Sequence, residues 1–184
     1  MSPVTPAGIG AILFTADEIA ETVRALATRL ARDLPPEPIV LVGVLKGALF
    51  LTADLARALP AEMDVRLDYL AVASYAGARS SGDVRLLVDV GQDLAGKHVV
   101  LVEDVVDTGH TLEFLGRLLA ARKPASLRTC VLLDKPARRT VDVAVDYAGL
   151  SCPDAFIVGY GLDYQEKYRN LPYLAKLESR VSEG

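Results

Sequence analysis

The run VVLVEDVVDTGHTL at residues 99–112 constrains this chain more than any other stretch. Val99 to Val102 are unbroken apolar residues, the pattern of a strand buried on both faces of a parallel sheet. A short polar turn follows, and Leu112, Leu115 and Leu119 then recur at helical spacing. A buried strand feeding a helix needs a parallel neighbour, which commits the chain to an α/β sheet with crossover helices. Glu103, Asp104 and Asp107 crowd like charges together where none adds to a core. Their expected place is the carboxyl end of the strand, where open α/β sheets bind ligands. Asp107, Thr108, Gly109, His110 and Thr111 offer backbone N–H groups, two threonine hydroxyls and a glycine at a helix N-terminus, a cradle suited to phosphate. Carboxylates that accept from hydroxyls, set beside a phosphate cradle, point to a sugar phosphate. The alternative on the residues alone is a plain strand-to-helix turn with solvated acids.

The rest of the chain repeats the strand–helix alternation. Thr15-Ala16-Asp17-Glu18 is a capping box, with Ile19, Val23, Leu26 and Leu30 at helical spacing behind it. Pro35, Pro36 and Pro38 stop that helix near Leu34. A buried strand is expected from Ile39 to Val44, a tight turn at Leu45-Lys46-Gly47, and a helix from about Ala48 to Leu59. Val65 to Ser74 reads as a strand, with Arg85 to Val90 as its hairpin partner. Leu127 to Leu133, Val145 to Tyr147 and Phe156 to Tyr160 complete the expected strands. Residues 1–11, which carry Pro and Gly, read as loose. The polar segment from Ser74 to Val84 has no hydrophobic periodicity and is expected to be mobile and to close over a bound ligand. With 184 residues and no internal repeat or linker, residues 1–184 are expected to form one domain.

Composition removes several function classes. A formal charge of −4 argues against a nucleic-acid surface. No apolar run approaches the length of a membrane span, and no signal peptide is recognised at the N-terminus. Cys130 and Cys152 lack a CxxC spacing and read as reduced, buried thiols of a cytoplasmic protein. His98 and His110 lack metal-ligand spacing.

Two acids, two apolar residues, a third acid and Thr-Gly-x-Thr together resemble the signature of the phosphoribosyltransferases that use phosphoribosyl pyrophosphate. CVLLDKPARR at 130–139 and AFIVGYGLDYQEKYR at 155–169 are similar to the hypoxanthine-guanine branch, the bacterial proteins in particular. The likeness runs from about Thr15 to Leu177. It implies a central, mainly parallel sheet flanked by helices, a flexible hairpin loop, and a small hood built from the chain ends. It also implies transfer of a phosphoribosyl group to hypoxanthine or guanine, with Mg²⁺ as cofactor and a homodimer or homotetramer as the assembly. Asp107 would be the general acid or base on the purine ring. Glu103 and Asp104 would hold the ribose hydroxyls and serve the metal, with Asp163 as a further metal ligand. Thr108, Gly109, His110 and Thr111 would hold the 5-phosphate.

By the same resemblance Leu45, Lys46 and Gly47 form the pyrophosphate loop, with a cis Leu45–Lys46 bond, and Arg169 also binds pyrophosphate. Lys135 would donate to the 6-oxo group, Phe156 would stack on the purine, and the backbone of Ile157 would meet its other edge. Ser74 and Tyr75 would open the closing loop. On the residue alone, a lysine after a strand reads as a solvated turn, and Phe156 reads equally as a stacking ring or a core aromatic. Two other readings stay open: a pyrimidine-operon regulator with uracil phosphoribosyltransferase activity, and a noncatalytic phosphoribosyl pyrophosphate sensor. The first should show a basic face, and the second usually carries a fused DNA-binding domain and tends to lose the acid at Asp107.

Overall fold

The computed structural model describes residues 6, 8–74 and 84–178. Its main sheet has six strands: β2 (Ile39–Leu45), β3 (Val65–Ser74), β4 (Val84–Val88), β5 (His98–Val106), β6 (Ser126–Asp134) and β7 (Tyr147–Ser151). Their order is β4-β3-β2-β5-β6-β7, parallel throughout except for the β3–β4 hairpin. Three helices cover it: α1 (Ala16–Asp33), α2 (Leu49–Ala58) and α3 (His110–Ala120).

Strand alternation divides the core in two. Ile39 and Leu41 of β2 and Val100 and Val102 of β5 pack with Leu26 and Leu30 of α1 and Leu51 and Leu55 of α2. Val40 and Val42, with Val99 and Leu101, pack with Leu112, Leu115 and Leu119 of α3 on the other face. Each such leucine, fully buried, contributes about 1.5–3 kcal/mol of transfer free energy. The capping box at α1 is complete. Glu18 N donates to Thr15 Oγ1 at 3.3 Å, and Thr15 N donates back to the Glu18 carboxylate at 2.8 Å.

A second, three-stranded sheet sits apart, built from β1 (Ile9–Phe14), β8 (Ile157–Val158) and β9 (Leu174–Leu177) in the order β1-β9-β8. This is the hood expected from the chain ends, but β1 corrects the reading of residues 1–11 as loose. Ile9 is buried and pairs with Leu177, and with Val158, Tyr173 and Ala175 it forms a small core. β8 is two residues long because the backbone turns over at Gly159 and Tyr160, both at positive φ.

β7 begins at Tyr147 rather than Val145. The carboxylate of Asp146 accepts from Thr129 N at 2.8 Å and from Arg128 at 3.1 Å, fixing the entry to the strand. Arg29 of α1 then reaches across β7 and donates to the carbonyls of Asp146 and Ala148, each at 3.2 Å. Its guanidinium also lies 5.3 Å from the Tyr147 ring centroid. His98 stands at the amino end of β5, its ring bonded to Ser126 Oγ at 2.7 Å and to Glu37 at 2.6 Å.

Candidate active site

Glu103 and Asp104 lie at the carboxyl end of β5, as expected, and still within the ladder, which continues to Val106. Period-two alternation puts Glu103 on the face of Leu101 and Asp104 on the face of Val102. Glu103 is 6% exposed, and its Oε2 has no partner among the described residues. Burial, with Asp104 adding to it, pushes the Glu103 carboxyl up to about 8. A buried, unpartnered carboxyl costs stability and marks a site where something else supplies the partner. Asp104 is pushed up to about 6, again by burial. N–H groups of Val105 and of Asp104 itself, and the Arg169 charge, pull the other way. A Cβ at residue 47 would overlap the Asp104 carboxylate, so only glycine lets the Leu45-Lys46-Gly47 loop lie on that acid. The Leu45–Lys46 peptide is cis, as expected.

The turn after β5 carries Asp107, whose Oδ1 accepts from Arg138 Nε at 2.6 Å while Oδ2 lies 3.9 Å from Lys135 Nζ. Arg138 also donates to Asp154 at 2.9 Å. Gly109 is the N-cap of α3 at φ +94°, and no side chain caps the helix. The first-turn N–H groups therefore face a cavity of about 230 Å³ lined by Glu103, Asp104, Asp107, Thr108, Gly109 and Thr111. Behind the turn, Thr140 N donates to Thr108 O at 3.0 Å. His110 Nε2 meets Thr140 Oγ1 at 3.2 Å.

A second cavity of about 220 Å³ shares Asp104, Val105 and Asp107 with the first and adds Lys135, Phe156, Ile157, Leu162 and Asp163. Lys135 is no solvated turn residue: its side chain is 11% exposed and Nζ donates to Ala155 O at 2.8 Å. Phe156 is not in the core either. It is 53% exposed and meets Tyr164 edge-on, with centroids 5.7 Å apart. An aromatic face left open beside a buried ammonium suits a flat ring that carries an oxygen acceptor.

The hood closes the other side. Arg169 pairs with Asp163 at 2.7 Å and donates to Gly161 O at 2.7 Å. Its Nε is buried without a partner among the described residues. Gly161, at φ +101°, lies against the carbonyl of Gly47, joining hood to loop. Lys46 Nζ donates to Glu166 at 2.8 Å, and Glu166 also meets Arg169 at 3.3 Å.

Glu103, Asp104, Asp107, Thr108, Gly109, Thr111, Lys135, Phe156, Ile157 and Asp163 thus line two adjoining cavities, with Gly47 against Asp104 and Arg169 against Asp163, while His110 turns to Thr140 and nothing places Leu45 at either cavity. Ser74 ends β3, and Tyr75 with the segment to residue 83, the expected closing loop, lies outside the described residues. Among the described residues no three His, Cys, Asp or Glu side chains converge to hold a metal, so Glu103, Asp104 and Asp163 form no ready cage. Sequence reasoning missed Arg138 and Glu166. Nothing local distinguishes either from a solvated charge, and only the fold brings them to the site.

The phosphoribosyl transferase domain model matches residues 12–165. Hypoxanthine-guanine phosphoribosyltransferase of Streptococcus pneumoniae is 41% identical over 171 residues, 92% of this chain and 94% of that protein. A crystal structure of the Bacillus anthracis hypoxanthine-guanine phosphoribosyltransferase superposes with TM-score 0.87 at 43% identity, covering 92% of this chain and 99% of that one. The Trypanosoma cruzi hypoxanthine phosphoribosyltransferase in complex with the product IMP superposes with TM-score 0.88 at 43% identity, covering 97% and 100%. The open turn at the α3 N-terminus, the ammonium-and-aromatic pocket and these likenesses agree: the chain belongs to the phosphoribosyltransferase family, in its hypoxanthine-guanine branch.

Proposed function

We propose that this chain transfers the 5-phosphoribosyl group of phosphoribosyl pyrophosphate to hypoxanthine or guanine, giving IMP or GMP and pyrophosphate. The observation that carries the reading is the shared wall: Asp104, Val105 and Asp107 line both cavities. A base held in one is thereby set against a sugar phosphate held in the other. The α3 N-terminus and the hydroxyls of Thr108 and Thr111 take the 5-phosphate. Asp104 and Glu103 bond the ribose hydroxyls. Lys46, the Gly47 backbone and Arg169 take the pyrophosphate. Phe156 stacks on the purine, and Lys135 donates to its 6-oxo group, a preference that rejects the amino donor of adenine.

Purine N9 then bonds to C1 of the sugar as the C1–oxygen bond to pyrophosphate breaks. Asp107 receives the proton that the ring gives up at N7. Arg138 and Lys135 hold the Asp107 carboxylate in place for that transfer. The oxygen donors Asp104 and Asp163 suit Mg²⁺, which binds through one or two carboxylates and keeps waters and substrate oxygens. When bound, the ion neutralises charge on the departing pyrophosphate. The similarity to hypoxanthine-guanine phosphoribosyltransferases over nearly the whole chain supports this reading over the pyrimidine-operon regulator. A panel of bases incubated with phosphoribosyl pyrophosphate, with and without Mg²⁺, tests it. Nucleotide should form from hypoxanthine and guanine, and chelator should abolish it. Robust turnover of uracil or adenine would overturn the assignment.

A further inference from the structure

Glu166 is a charged residue of the hood turn that the proposed chemistry leaves without a task, yet it sits between two groups that have one. Its Oε2 accepts from Lys46 Nζ at 2.8 Å and its Oε1 lies 3.3 Å from Arg169 Nη2. Those cations belong to different elements, the loop after β2 and the hood turn, and both are assigned to pyrophosphate. Glu166 is held there by its backbone, at φ +62° between two other non-glycine residues of positive φ, Gln165 and Tyr168. Its N–H donates to Asp163 Oδ2 at 2.8 Å, which fixes the turn independently of the Glu166 side chain. A bulky residue in the left-handed region is uncommon and points to a constraint on where its side chain goes. Lys46 and Arg169 both hold the Glu166 carboxyl below its usual range, as expected of an anion serving two cations.

We propose that Glu166 is an internal anion that occupies the pyrophosphate cations, so that pyrophosphate binds only by competing with it and leaves readily after transfer. The inference rests on the reading of Lys46 and Arg169 given above. The carboxylate keeps the two cations together and ordered in the empty site. It also repels an incoming phosphate oxygen, because the same Lys46 and Arg169 protons cannot serve both fully. Glu166 is a positioning residue here and touches no reacting atom.

The probe is inorganic pyrophosphate with Mg²⁺, titrated calorimetrically against the full chain and against Glu166→Gln and Glu166→Asn. The first keeps side-chain length. The second places at residue 166 a side chain that tolerates positive φ, which guards against a folding failure of the first. Each should bind pyrophosphate about two- to fivefold more tightly than the parent, the range of one exposed ion pair, and the KM for phosphoribosyl pyrophosphate should fall with it. A residue of purely structural importance would weaken binding when changed. Unchanged or weaker pyrophosphate binding by both variants, with the parent binding normally, would overturn this inference alone. A parent chain that fails to bind pyrophosphate at all would overturn the assignment of Lys46 and Arg169 as well.

Discussion

Replacing Gly161 by alanine isolates the contact between the hood and the loop after β2. Gly161 sits at φ +101°, outside what an L residue adopts at low cost, and holding alanine there costs about 1–3 kcal/mol. The new methyl would also overlap the Gly47 carbonyl oxygen and come within 3.1 Å of the carbonyl carbon. Both are backbone atoms, so no rotamer change relieves the overlap, and such overpacking adds about 1–3 kcal/mol. The sum, about 2–6 kcal/mol, corresponds to a fall in Tm of roughly 4–24 °C for a domain of this size. Gly116 is the control: it lies within α3, and a Cβ there meets nothing within 4 Å. Gly116→Ala should gain about 0.5–1 kcal/mol from helix propensity. Urea unfolding of both variants beside the parent measures the difference, provided the m-values agree. A Gly161→Ala protein within 0.5 kcal/mol of the parent would show that hood and loop are not in contact as described.

Asp107→Asn should lower kcat by roughly 10²–10⁴-fold with little change in phosphoribosyl pyrophosphate binding, since the amide keeps size but cannot take the proton. Steady-state kinetics check it, and a near-normal kcat would leave Asp107 only a structural part in the turn. Lys135→Gln should relax the preference for 6-oxopurines over adenine. Removing the Nζ donor to Ala155 O should also cost about 1–3 kcal/mol unless the glutamine amide replaces it. Glu103 gives a pH effect of defined sign. Its folded carboxyl is raised from an ordinary value near 4.5 to about 8, so between those values the folded chain binds more protons than the unfolded one. Stability in chelator should therefore fall as pH rises from about 5 to 8, by at most about 1.4 kcal/mol per pH unit for this group, with Asp104 acting in the same direction. Glu103→Gln should flatten the profile measured by urea midpoints, and an unchanged slope would mean that Glu103 is ionised in the folded chain.

The turn from β5 into α3 could be read in advance because everything it needs is consecutive: strand, acids, glycine and helix start lie within 99–112. The same is true of α1, whose cap and apolar stripe are local. Elements defined by distant partners were not legible. β1 is a strand because Ile9 meets Leu177, and no pattern within residues 1–11 encodes that pairing. The position of the β5 acids at the strand's carboxyl end was legible, but not the burial of Glu103, because charge buried inside a ladder is improbable on energetic grounds. Glu103 departs from that rule, and a departure from local logic is a mark of a functional position. Arg138, Glu166 and the burial of Lys135 needed tertiary proximity. A charged side chain looks the same in sequence whether water or a carboxylate faces it.

The guanidinium of Arg29 has a consequence beyond the strand it touches. β7 is the last strand of the main sheet on its side, and the carbonyls of Asp146 and Ala148 that Arg29 binds would otherwise be free to receive the N–H groups of a foreign strand. The side chain of a neighbouring helix thus acts as a stopper on sheet growth, held over the Tyr147 ring. Its value lies less in the stability of one molecule than in the behaviour of a concentrated solution of them. Each copy ends its sheet with a charge that the next copy cannot add to.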